Sequence, residues 1–121
     1  MASRPVVLVL EDNPELLEAY ERTLTSLGCD VVAVECPAEA WPHLEEGLKP
    51  TFIMSELQMP DMDGDEFCTL VRAQYPKIPF YLVSGSTEVY VRARLCGATH
   101  AFMKIITQDT LRELITGVYA A

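Results

Sequence analysis

Five short apolar runs punctuate the chain: Val6–Leu10, Val31–Val34, Phe52–Met54, Phe80–Val83 and Ala101–Met103. They are near-continuous rather than alternating, as strands must be when a parallel sheet is covered on both faces. The intervals between them are too long for hairpins and long enough for crossover helices. Those intervals carry helical signals. Asn13 followed by Pro14 reads as an N-cap with proline at the first helical position. Leu16, Leu17, Tyr20, Leu24 and Leu27 then share one helical face, and Gly28 supplies a stop. Phe67, Leu70 and Val71 repeat that spacing, as do Leu111, Leu114, Ile115 and Val118. The segment Pro37–Gly47 contains Pro42, which is expected to kink or delay a helix. Thr87–Cys96 has the weakest periodicity. Strands and helices alternate from end to end, with no repeat and no linker. The expected architecture is α/β, a (βα)5 open, doubly wound, five-stranded parallel sheet with right-handed crossovers, in one domain over residues 1–121.

Composition narrows the function. The chain has 121 residues, half of them hydrophobic, which suffices for one core. No apolar run is long enough to cross a bilayer, so no membrane partner is expected. Arg4 and Pro5 interrupt the start, so no secretion signal is expected. Eighteen acidic residues against nine basic ones give a net charge of −9. Such a chain repels phosphate backbones, so direct nucleic-acid binding is not expected. Cys29, Cys36, Cys68 and Cys96 form no C-x-x-C pair and, with His43 and His100, no zinc spacing. They read as small, mostly buried thiols of a reducing, cytoplasmic protein. The charge is also unevenly placed. Residues 1–66 hold 15 acidic and 3 basic side chains, whereas residues 67–121 hold 3 acidic and 6 basic.

Open doubly wound sheets bind ligands outside the carboxyl ends of their strands, where the strand order reverses. Glu11 and Asp12 follow the first strand, Ser55 and Glu56 the third, Ser84 the fourth and Lys104 the fifth. Three carboxylates are oxygen donors for a hard divalent cation such as Mg²⁺. A hydroxyl and a compact ammonium suit a phosphoryl oxygen. Three like charges on one rim need a cation to offset them, either a metal ion or Lys104.

The segments VLVLEDNPELL, FIMSELQMPDMDG, FYLVSGS and GATHAFMK resemble the receiver domain of bacterial two-component response regulators. The resemblance covers essentially the whole chain. It implies the flavodoxin-like strand order 2-1-3-4-5 and a phosphorelay signalling role rather than an enzymatic one. It also implies a Mg²⁺ site made by Glu11, Asp12, residue 56 and the backbone carbonyl of Gln58. In that family an aspartate ending the third strand accepts a phosphoryl group from a histidine kinase. Ser84 and Lys104 would contact that group. The face formed by the fourth helix, fifth strand and fifth helix would bind a downstream protein or a second receiver. Tyr90, Arg92, Arg94, Arg112 and Tyr119 fall there.

Three departures stand out. The acceptor position holds Glu56, one methylene longer than aspartate and so extended by roughly 1.5 Å. A misplacement of about 1 Å can cost on the order of a hundredfold in phosphoryl transfer. Phosphorylation is therefore expected to be lost or very slow, and Mg²⁺ binding weakened. The alternative is a conventional phosphoacceptor switched by a histidine kinase. Glu56 is expected either to reach Lys104 and Ser84, imitating part of a phosphorylated state, or to fill the metal site. The switch position three residues before Lys104, aromatic in the family, is Ala101. His100 and Phe102 flank it but point to the opposite face of the strand. Ile105 stands where the family has proline, which argues against a cis peptide there.

Readings from other classes are weaker. Asp61-Met-Asp63-Gly-Asp65 resembles a haloacid-dehalogenase phosphatase signature, but Met59-Pro60 separates it from its strand. As an EF-hand loop it places Gly64 before rather than after the third acidic residue. Asp63 or its neighbours capping the third helix, with Gly64 relieving the turn, accounts for the run. A flavin site would need a glycine- and hydroxyl-rich loop after the first strand, which is absent.

Overall fold

The apolar runs pair as the expected parallel ladder. In the computed structural model, which describes residues 4–120, the strands are β1 (Val6–Leu10), β2 (Asp30–Val34), β3 (Phe52–Glu56), β4 (Phe80–Ser84) and β5 (His100–Met103). The sheet order is β2-β1-β3-β4-β5. Between and after them lie α1 (Pro14–Ser26), α2 (Pro37–Glu45), α3 (Gly64–Gln74), α4 (Val89–Cys96) and α5 (Gln108–Thr116). Val7 faces Val31 on one side and Phe52 on the other, which places β1 inside the sheet.

Strand alternation sorts the core into two layers. Leu8, Leu10, Ile53, Phe80, Leu82 and Ala101 pack with Ala40, Leu44, Phe67, Cys68, Val71, Val89 and Ala93 of α2, α3 and α4. Val7, Val9, Phe52, Met54, Tyr81 and Val83 pack with Leu17, Tyr20, Leu24, Leu111 and Leu114 of α1 and α5. This two-sided burial is why the strands carry no polar alternation.

The helix boundaries follow local chemistry, with corrections. Asn13 caps α1, its Oδ1 accepting from the Glu15 and Leu16 N–H groups at 3.0 and 3.2 Å. Gly28, at φ +96°, lets the chain leave α1. α2 is not delayed by Pro42: it starts at Pro37 and runs through to Glu45. Leu70 is exposed although it shares the spacing of Phe67 and Val71, and Val118 lies beyond the end of α5. Asp63 occupies the N-cap position of α3 but makes no side-chain cap. Its carboxylate turns to Arg92 instead. Cys29 and Cys68 are buried, whereas Cys36 and Cys96 are only partly so, and all four are free.

Gly64 serves close approach rather than turn geometry. Its N–H donates to the Leu57 carbonyl at 2.6 Å. A Cβ there would fall on the Glu56 carbonyl oxygen and press on Leu82 and Ser55. Gly64→Ala is expected to cost about 1–3 kcal/mol, because backbone cannot yield as a side chain can. Urea unfolding of the variant measures it.

Candidate functional site

The order reversal falls between β1 and β3, and the residues leaving these strands meet there. Glu11 follows β1, and its N–H donates to the Val34 carbonyl at 3.1 Å. Glu56 is the last residue of β3. Lys104 follows β5, its N–H bonded to the Ser84 carbonyl at 2.9 Å. The backbone thus fixes three strand ends before any side chain is placed.

The side chains converge on one ammonium. Lys104 Nζ lies 2.8 Å from Glu11 Oε1 and 2.5 Å from Glu56 Oε2. Glu11 is 1% exposed and Glu56 7%. The second oxygen of each carboxylate accepts a backbone N–H: Glu11 Oε2 from Asn13 at 3.0 Å, Glu56 Oε1 from Gln58 at 3.3 Å. Burial pushes the Glu11 carboxyl above its ordinary range, against the pull of Lys104. Burial alone would lower Lys104, but the hydrogen bonds to Glu11 and Glu56 outweigh it and hold the ammonium above its ordinary value. One cation thus holds two buried anions. Tyr20, buried in α1, has its hydroxyl pushed up to about 12, by burial first and by the Glu11 charge second.

The other expected members do not touch Lys104. Asp12 and Gln58 are exposed. Ser84 is buried, its hydroxyl accepting the Ser86 N–H at 3.1 Å. Glu56 reaches Lys104, and its second oxygen goes to Gln58 rather than to Ser84. Ala101 is buried in the layer beneath α4. A cavity of about 270 Å³ opens between Tyr90, Arg94 and Ala101. His100 and Phe102 stack on the opposite face with centroids 5.0 Å apart, and Tyr119 packs edge-on against both. Tyr119, expected to be exposed, is therefore half-buried in an aromatic cluster. The Lys104–Ile105 peptide is cis, contrary to the expectation drawn from the missing proline.

Arg92 also departs from its expected place on an open face. Its guanidinium turns inward and pairs with Asp63 at 2.8 Å, Asp65 at 2.7 Å and Glu88 at 2.9 Å. It ties α4 to the start of α3, a pairing that sequence reading missed. The signal was an acidic cluster with no cation near it in sequence. Asp61 is used too, accepting the Ala38 N–H at 3.2 Å. These contacts leave the Asp61–Asp65 run no role as a nucleophile or calcium loop.

Whether these residues fit Mg²⁺ is a geometric question. The ion needs near-octahedral oxygen ligands at short range. Among the described residues, no group of three or more acidic, histidine or cysteine side chains gathers closely enough to hold a metal. The Lys104 ammonium occupies the space between Glu11 and Glu56, and Asp12 lies beside Glu11 on the solvent side. As arranged, the residues do not fit the ion.

A doubly wound parallel sheet with acidic groups and a lysine at its switch point defines a class of signalling fold. The sequence profile of the response regulator receiver domain matches residues 7–116, and the chain belongs to that family. It is 30% identical over 118 residues to a chemotaxis protein CheY homolog of Campylobacter jejuni, covering 93% of this chain and 90% of that one. It is 32% identical over 111 residues to the response regulator protein FleR of Pseudomonas aeruginosa, covering 90% of this chain but only 23% of FleR. The chemotaxis response regulator CheY4 of Vibrio cholerae superposes with a TM-score of 0.85 at 26% identity, over 96% of this chain and 99% of that one. A CheY-like receiver domain of Methanospirillum hungatei, at 23% identity and TM-score 0.87, shares the fold over 97% of this chain and 94% of that one. Receiver domains are signalling modules that interact with histidine kinases and downstream effectors, and they generally bind Mg²⁺ at the acceptor site. Among the described residues no helix is long and apolar enough to cross a membrane.

Proposed function

We propose that this receiver signals through protein contacts while its acceptor position stays closed to phosphorylation. One observation carries the reading: Lys104 Nζ rests against Glu11 and Glu56 together, in the space that a cation and an incoming phosphoryl group would need. Glu56 supplies one negative charge, against about −1.5 to −2 for a phosphoryl group, so the state it holds imitates phosphorylation only in part. Ala101 brings no aromatic ring to move between α4 and β5, so the usual bistable element is missing as well. The domain is held in one conformation.

The partner is a histidine kinase or a downstream protein, met on the face of α4, β5 and α5, where a second receiver is the other occupant. Tyr90, Arg94 and Arg112 are exposed there, with Val91 and Leu95 between the charged groups. Arg92 is left out of that face, since its charge is spent on α3. Calorimetric titration with Mg²⁺ at neutral pH tests the closed site. No saturable heat is expected at millimolar ion, and stoichiometric binding there would overturn the reading.

A further inference from the structure

Cys68 and Cys96 lie outside the acidic site and play no part in the receiver reading. Cys68 sits mid-way along α3, fully buried, and Cys96 is the last residue of α4, partly open to solvent. The two side chains meet where α3 packs against α4. Cys68 Sγ also approaches the Cys96 carbonyl at 3.6 Å, and Cys96 Sγ the Ala93 carbonyl at 3.5 Å.

The frame around them is rigid. One turn beyond Cys68 on α3, Arg72 donates from Nε to the Gly97 carbonyl at 2.8 Å and from a second nitrogen to Thr99 Oγ1 at 3.3 Å. Midway along α4, Arg92 is clamped to Asp63 and Asp65. The start of α3 and Arg72 near its end thus both hold α4, with the two cysteines between these anchors. The remaining cysteines are placed differently. Cys29 is buried at the start of β2, and Cys36 faces the Glu39 carboxylate, its Sγ 3.7 Å from Oε1.

We propose that Cys68 and Cys96 form a peroxide-oxidisable dithiol, closing to a disulfide that joins α3 to α4. The chemistry balances with a peroxide as oxidant. The Cys96 thiolate attacks one peroxide oxygen, the O–O bond breaks, and Cys96 becomes a sulfenic acid as hydroxide leaves. The Cys68 thiol then displaces the sulfenic oxygen as water, and the S–S bond forms. Two electrons pass from the sulfurs to the peroxide, which ends as two waters after taking up both thiol protons. The division of labour follows exposure: Cys96 meets solvent and attacks, and Cys68 waits behind it and resolves. Contact with the Cys68 thiol draws the Cys96 thiol down to about 7, which supplies thiolate at neutral pH. Contact with the Cys96 sulfur, then burial, holds Cys68 protonated. The bond would fix α4, the helix that presents Tyr90, Val91, Arg94 and Leu95, against α3.

The test is intact-mass and peptide mapping of the whole chain after stoichiometric hydrogen peroxide. The expected product is monomeric and lighter by two hydrogens, carries a Cys68–Cys96 linked peptide, melts at a higher temperature and reverts with dithiothreitol. Cys96→Ser is expected to abolish the link, while Cys36→Ser leaves it unchanged. A gain of oxygen at Cys96 without a link, or a link that runs through Cys29 or Cys36, overturns the proposal. Mapping of the unsubstituted chain decides the matter even if a Cys68 variant fails to fold.

Discussion

Replacing Lys104 by methionine is expected to cost about 3 kcal/mol of stability at neutral pH, the scale of breaking a buried ion pair by removing one partner. The packing of the stem is retained, so the loss is electrostatic. Glu11 and Glu56 are then two buried carboxylates without a cation, and Glu11, already raised by burial, loses the ammonium that pulls it down. The sign of the pH dependence follows. A carboxyl whose folded pKa is raised binds its proton more tightly in the folded state than in the unfolded chain. Stability therefore falls as pH rises from about 4 through the raised values, and most of it returns on acidification to about pH 4. Urea unfolding of Lys104→Met across that window checks both magnitude and slope. In the unsubstituted protein, Lys104 opposes that fall, and its own raised pKa places its loss in the alkaline range. Its contribution is complete below the ordinary lysine value and disappears as pH climbs through the raised one.

The second large effect is a gain. Glu56→Asp withdraws the carboxylate by roughly 1.5 Å from Lys104. That breaks the bridge on one side and frees the space between the strand ends. Lys104 keeps Glu11, while the shortened side chain, with Asp12 beside Glu11, becomes free to take a divalent ion. We expect Mg²⁺ binding to become measurable by calorimetry. Labelling by acetyl phosphate is expected to rise by at least about a hundredfold, the scale that a correction of about 1 Å carries in such reactions. A variant that binds no Mg²⁺ and stays unlabelled would place the block elsewhere, with Ala101 the next feature to change.

Much of this was legible in the residues because the physics is local or periodic. The apolar runs located all five strands, and Asn13-Pro14 located the start of α1, since buried parallel strands and capped helices leave dense local patterns. The rim residues Glu11, Glu56, Ser84 and Lys104 followed from strand ends and topology. What failed depended on distant partners. Arg92 looked like a free surface cation until α3 brought Asp63 and Asp65 beside it. Tyr119 looked exposed until His100 and Phe102 formed a shelf for it. Asp12 looked equal to Glu11, and only the fold shows that Glu11 is buried against Lys104 while Asp12 stays exposed beside it. Pro42 looked like a break because its missing N–H is visible in the sequence, whereas the burial of Pro37, Ala40 and Leu44 that carries α2 through it is not.

The closed acceptor site is tested most directly by intact mass of the unsubstituted protein after incubation with Mg²⁺ and acetyl phosphate. With Lys104 held between Glu11 and Glu56, the mass is expected to stay unchanged. A gain of one phosphoryl group that vanishes in Glu56→Gln would contradict it, and would make Glu56 a working acceptor.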